Sequence, residues 1–124
     1  MQFDDKVPIY YQIKNYLYHR IIAGQLAPGD KVPAVRQLAV DLTVNVNTVQ
    51  RALSEMVTEQ VLISKRGRGN FVTEDVTQIA ALKHHLIVTY VQQFYHQVHG
   101  LELSDDEIVQ ELRTYIATQK GADK

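Results

Sequence analysis

Between Ala34 and Thr58, two apolar patterns of helical spacing follow each other with only two or three residues between them. No other feature of the 124-residue chain narrows the choice of fold as much. The first pattern, Ala34–Thr43, sets Val35, Leu38, Ala39 and Leu42 at helical spacing. The second is strongly two-sided. Val49, Ala52, Leu53, Met56 and Val57 share one half of a helical wheel, while Asn47, Thr48, Gln50, Arg51, Ser54 and Glu55 share the other. A short helix, a tight turn and a longer amphipathic helix form a helix-turn-helix unit.

The flanking segments complete this unit. Pro8 suits an early helical position, and Ile9, Tyr10, Ile13, Tyr16, Leu17 and Ile21 then fall on one side of a helix over residues 8–23, stopped by Gly24. Tyr11, Tyr18 and Ile22 lie opposite, either solvated or covered by a second surface. Gly24–Pro33 is rich in turn residues and reads as a loop. After Gln60, Val61-Leu62-Ile63 and Phe71-Val72-Thr73 read as strands around a glycine-bearing turn, Lys65–Gly69. A lone two-stranded hairpin is marginal in water, so this one must lie against the helices. Three helices closed by a hairpin make a winged helix-turn-helix domain, expected over residues 1–75.

Residues 76–124 carry two more helical patterns. From Val76 to about His99, Ile79, Ala80, Leu86, Ile87, Tyr90, Val91, Phe94 and Val98 form a stripe that Gly100 ends. Ser104-Asp105-Asp106-Glu107 matches a capping box, with Ile108, Val109, Leu112, Tyr115 and Ile116 on one side of the helix that follows. So much apolar surface beside an already closed domain calls for a partner. The expectation is a homodimer formed by a two-helix tail through Leu86, Ile87, Tyr90, Val91, Phe94, Ile108, Leu112 and Tyr115, with Tyr11 and Tyr18 as further candidates. The alternative is packing of the tail on its own first helix. The fold class is therefore mostly α with a small β-hairpin.

Composition excludes several functions. The chain has no cysteine, which rules out disulfide scaffolds, thiol catalysis and thiolate zinc sites. No apolar run approaches the roughly 18–20 residues of a bilayer span, and MQFDDKVPIYYQ lacks the pattern of a signal peptide. A soluble, cytoplasmic protein is expected. His84, His85, His96 and His99 lie on one predicted helix but point in different directions, so no metal and no cofactor is expected. No nucleophile–base–orienter set, phosphate-cradling loop or apolar carboxylate pair stands out, and the chain reads as a non-enzyme. The tail is too small to enclose a ligand cavity within one subunit, and any small-molecule effector is unknown. Thirteen Lys+Arg against fourteen Asp+Glu give a net charge of −1, so nucleic-acid binding would depend on local placement rather than bulk charge. Such a placement exists: Lys65–Arg68 holds three cations and no anion.

Many ordered residues carry a resemblance. They are Pro8-Ile9-Tyr10 with Gln12-Ile13, Gly29-Asp30-Lys31, Pro33, Val35-Arg36, Leu38-Ala39, Asn45, Asn47-Thr48-Val49-Gln50-Arg51-Ala52, Arg66-Gly67-Arg68-Gly69 and Phe71-Val72. Over about 65 residues this string resembles the DNA-binding domain of the GntR family of bacterial transcription regulators. The short tail and the NxNTVQRA string look like its YtrA-like subfamily. The chain departs from the pattern at Ala34, where relatives often carry Ser, and at Thr43, a common turn glycine. It also departs at Val46, often Pro, and Asn70, often Thr.

The chemistry of the outward residues agrees with that resemblance. A major groove about 12 Å wide admits one helix whose side chains reach base edges. Asn47 and Gln50 suit adenine and Arg51 suits guanine, while Thr48 and early backbone N–H groups can take a phosphate. The alternative, an ordinary solvated face, more often carries Lys/Glu pairs four residues apart. Arg36 would face the DNA backbone or groove edge, as the resemblance implies, or else pair with Asp30 or Asp41. Lys65, Arg66, Arg68 and Gly69 would bring the hairpin tip against the sugar–phosphate wall, or simply form a soluble loop. Tyr10 and Gln12 could donate to a phosphate, although core packing suits Tyr10 equally. The implied function is a sequence-specific DNA-binding regulator, a repressor acting as a homodimer on a palindromic operator of a transporter operon. The competing reading is a winged-helix protein–protein adaptor.

Overall fold

The computed structural model describes residues 3–122. The chain divides into two compact units, Met1–Lys83 and His84–Lys124. The first begins with α1 (Ile9–Ile22), α2 (Val35–Leu42) and α3 (Val46–Thr58), followed by strands β1 (Leu62–Lys65) and β2 (Gly69–Val72). Helix α4 (Val76–His99) starts in the first unit and ends in the second, which also holds α5 (Asp105–Ala122). The architecture is a winged helix-turn-helix followed by two helices.

The core of the first unit is drawn from the apolar stripes of all three helices. Ile13, Leu17 and Ile21 of α1, Leu38 and Leu42 of α2, and Val49, Ala52, Leu53 and Met56 of α3 are buried, together with Leu62 and Val72 of the hairpin. Each large side chain so buried contributes about 1.5–3 kcal/mol. The helix ends differ in quality. Asn45 caps α3 by accepting a hydrogen bond from the Asn47 backbone N–H at 2.7 Å. Ala34 offers α2 no such acceptor. Thr43, which ends α2, takes the left-handed conformation at φ 56° and ψ 51° that glycine adopts without cost.

The hairpin runs longer than its apolar residues suggested. Register pairs Leu62 with Val72, Ile63 with Phe71, Ser64 with Asn70 and Lys65 with Gly69. Lys65 and Gly69 therefore lie in the ladder, and only Arg66-Gly67-Arg68 turns, closed by the Arg68 N–H donating to the Lys65 carbonyl at 2.8 Å. A third segment backs β2. Val32 donates to Asn70, Val72 to Asp30 and Gly29 to Val72, each at 2.9 Å. That backing covers the free edge of β2 and steadies a hairpin too small to stand alone.

In the second unit, Ser104 and Glu107 form the expected capping box of α5. The Glu107 N–H donates to Ser104 Oγ at 3.2 Å, and the Ser104 N–H donates to Glu107 Oε1 at 3.1 Å. The Ser104 backbone and hydroxyl hold the Glu107 carboxyl below its usual range. Leu86 and Ile108 are buried in the single chain, whereas Ile87, Tyr90, Val91, Phe94, Leu112 and Tyr115 are exposed. Tyr18, on α1, is also buried and offers no outward ring.

Candidate nucleic-acid interface

The capped start of α3 has no acidic residue in its first turn, and its outward side stands in solvent. Asn47, Gln50 and Arg51 are exposed and Thr48 is half-buried. The two long polar side chains reach in opposite directions. Gln50 donates to Ser54 Oγ at 3.0 Å, and both residues line a hollow of about 180 Å³ with Ser64 and Asn70 of the hairpin. Arg51 leans toward α1, its guanidinium 3.7 Å from the centre of the Tyr10 ring. The outward side of α3 thus runs from the hairpin at one margin to α1 at the other.

Two of the hairpin cations rest on one ring. Lys65 Nζ lies 4.4 Å and the Arg68 guanidinium 5.8 Å from the centre of Phe71. Arg66 has no hydrogen bond or ion pair among the described residues. Gly69 adopts φ +107°, and a Cβ there would meet Cε of Lys31 at 3.2 Å. Lys31 therefore runs along the base of the hairpin and adds a cation that the sequence reading did not assign to the interface. Arg36 is exposed on α2 and pairs with no described residue. Both carboxylates considered for it have other partners: Asp30 accepts from the Ala27 N–H at 2.8 Å and Asp41 from Gln37 at 2.7 Å. Gln12 is not free for a phosphate. Its amide nitrogen donates to the carbonyls of Asp4 and Val7 at 2.7 and 2.8 Å.

A polar seam behind the interface went unrecognised in the sequence. Tyr10, Lys14 and Tyr18 repeat every four residues along α1, and Arg51 and Glu55 of α3 do so with Glu59, the residue that ends it. Lys14, buried, donates to Glu55 at 3.0 Å and to Glu59 at 2.9 Å, and the Tyr18 hydroxyl donates to Glu59. Arg51 Nε lies 3.8 Å from the other Glu55 oxygen. Burial by itself would lower the Lys14 pKa, but its bonds to Glu59 and Glu55 outweigh that and hold it above the ordinary value. Burial, then the bond to Glu59, pushes the Tyr18 hydroxyl strongly upward.

Among the described residues no three His, Cys, Asp or Glu side chains converge as a metal site, and no helix is long and apolar enough to cross a membrane. His96 and His99 instead flank the Tyr95 ring at 5.7 and 5.2 Å.

Residues 9–72 match the family model of bacterial regulatory proteins of the gntR family. The chain belongs to the GntR family. Two relatives from Bacillus subtilis (strain 168) extend the match over nearly all of both chains. The uncharacterized HTH-type transcriptional regulator YhcF is 35% identical over 114 residues, covering 92% of this chain and 94% of its own. The HTH-type transcriptional repressor YtrA is 30% identical over 118 residues, 94% and 91% respectively. A GntR family transcriptional regulator from Listeria monocytogenes superposes with a TM-score of 0.84 at 33% identity, over 90% of this chain and 98% of its own. The AraR DNA-binding domain, solved in complex with operator ORR3, gives 0.54 at 27% identity over 59% of this chain and 88% of that one. GntR membership, with YtrA matching over more than nine-tenths of both chains, makes the chain a DNA-binding transcription regulator and not an enzyme.

Proposed function

We propose that this GntR regulator is a cytoplasmic repressor that binds a two-fold symmetric operator as a homodimer. Asn47, Gln50 and Arg51 read base edges in the major groove, and Thr48 takes a phosphate at the start of α3. Arg36 grips the flanking backbone. Lys65, Arg66, Arg68 and Gly69 carry the hairpin tip against the sugar–phosphate wall. Residues 1–75 serve DNA and residues 76–124 serve dimerisation, through Ile87, Tyr90, Val91, Phe94, Leu112 and Tyr115. Leu86 and Ile108, already buried within one chain, support that surface from beneath. Two half-sites one helical turn apart, or a multiple of it, follow from the symmetry.

One observation carries this reading: the outward side of α3 is solvent-exposed, free of acidic residues in its first turn, and bordered by Ser64 and Asn70 of the hairpin, whose turn carries Arg66 and Arg68. The operator complex of AraR and the similarity to the repressor YtrA support it. An adaptor surface has no need of that amide and guanidinium chemistry.

Mobility shifts test it, using the DNA upstream of the protein's own gene and of neighbouring transporter genes at two salt concentrations. The expected result is a discrete complex that weakens steeply with salt, since released counterions drive the binding. A folded dimer that gives no salt-sensitive complex on any promoter would return the adaptor reading.

A further inference from the structure

We propose that Tyr10 is a positioning residue for DNA readout, holding the Arg51 guanidinium with its two-pronged edge aimed away from the protein. The inference rests on the base-reading role proposed for Arg51. The guanidinium lies 3.7 Å from the centre of the Tyr10 ring. Its Nε lies 3.8 Å from Glu55 Oε1, and Glu55 is held in turn by Lys14 through Oε2 at 3.0 Å. All five N–H donors of a guanidinium lie in its plane, so a ring stacked on the flat side blocks none of them. Glu55 engages the Nε side. The two terminal nitrogens are what remain, and they form the edge that grips guanine O6 and N7.

Arg51 nevertheless keeps 61% of its side chain in solvent, so this posture is accessible to a duplex. A long side chain that docks from free solution gives up rotamer freedom on binding, and one already stacked has less to give up. Tyr10 can do this because it opens α1 four residues ahead of Lys14, on the side that meets α3. The ring and the ammonium thus grip Arg51 and Glu55, the corresponding pair on α3.

The test is a double-mutant cycle in the full chain. The probes are the tightest duplex that wild type selects from a randomised pool and a random-sequence duplex of equal length. Tyr10→Leu is expected to weaken the selected duplex about three- to fivefold per recognition helix, leave the random duplex unchanged, and melt like wild type. Tyr10→Phe, which keeps the ring, restores wild-type binding. In an Arg51→Ala background Tyr10→Leu has no further effect. If Tyr10→Leu lowers the melting point, Tyr10→Gln replaces it in the same cycle. Equal losses with and without Arg51, or a Tyr10→Phe variant as weak as Tyr10→Leu, would overturn the inference and make Tyr10 a direct contact. Should Arg51→Ala alone bind the selected duplex like wild type, the base-reading role itself falls and this inference with it.

Discussion

Thr43 holds a backbone conformation that its β-branched side chain disfavours, at φ 56° between the two helices of the helix-turn-helix. For an L-residue the left-handed region costs about 1–2 kcal/mol, and glycine avoids most of that at the expense of a more flexible unfolded chain. Thr43→Gly is therefore expected to raise stability by about 1 kcal/mol, seen as a higher urea midpoint at unchanged slope. A lower midpoint would mean that Thr43 gains from contacts that offset its strain. Ala34 presents the converse case, a helix start without its acceptor. Ala34→Ser places a hydroxyl within reach of the Gln37 N–H, an N-cap worth about 0.5–1 kcal/mol. Thermal melts of the two variants check both effects, and an unchanged melting point for Ala34→Ser would show that the serine does not cap. Both positions stood out in the sequence through the resemblance, as departures from the GntR pattern where relatives often carry Ser and Gly. The Tyr10–Arg51 stack did not. It joins residues 41 apart, and neither helical wheel tells which polar residue on one helix will meet which on the other.

At the scale of elements, the α1–α3 seam couples folding to alkaline pH. Lys14 and Tyr18 both hold their protons in the folded chain above their ordinary values of 10.5 and 10.0. Below pH 10 both states are protonated at these sites, and the stabilisation is fully present. As pH rises past about 10, the unfolded chain releases protons that the folded chain keeps, so stability must fall, by up to about 1.4 kcal/mol per pH unit for each proton. Chemical denaturation from pH 8 to 11 is expected to give a flat profile that bends downward near pH 10. Tyr18→Phe removes one of the two protons and should make the descent shallower. A profile that stays level to pH 11 would show that the seam is not closed in solution. The elements themselves were largely visible in the sequence. Residues 76–99 emerged with their observed ends because Gly100 and the apolar stripe bound them. The hairpin was drawn too short, since polar Ser64, Lys65, Gly69 and Asn70 pair through backbone groups that hydrophobic patterning does not register. Lys14 drew no reading from the sequence for a related reason: a buried ammonium is stable only beside Glu55 and Glu59, which the chain supplies from a distant segment.

For the whole molecule, a net charge of −1 sets a problem that the proposed homodimer would answer. One recognition helix and one cationic turn make few phosphate contacts, and the chain's own carboxylates repel the duplex at longer range. Joining two such units through their tails makes engagement of the second half-site intramolecular, which raises overall affinity by about 10²-fold or more without any new contact. The tail has the surface for this, with Ile87, Tyr90, Val91, Phe94, Leu112 and Tyr115 each more than a third exposed. A chain ending at Lys83 keeps the first two turns of α4, including Gln78, whose amide donates to Gln60 at 3.2 Å. That fragment is expected to fold, to sediment as a monomer at concentrations where the full chain is a dimer, and to bind a palindromic duplex at least about 10²-fold more weakly. On a duplex carrying a single half-site the two should bind nearly alike, because the recognition surface is intact in both. A fragment that still sediments as a dimer would move the interface off α5 and the distal part of α4. A monomeric fragment that holds the palindrome as tightly as the full chain would instead remove dimerisation from the mechanism of recognition.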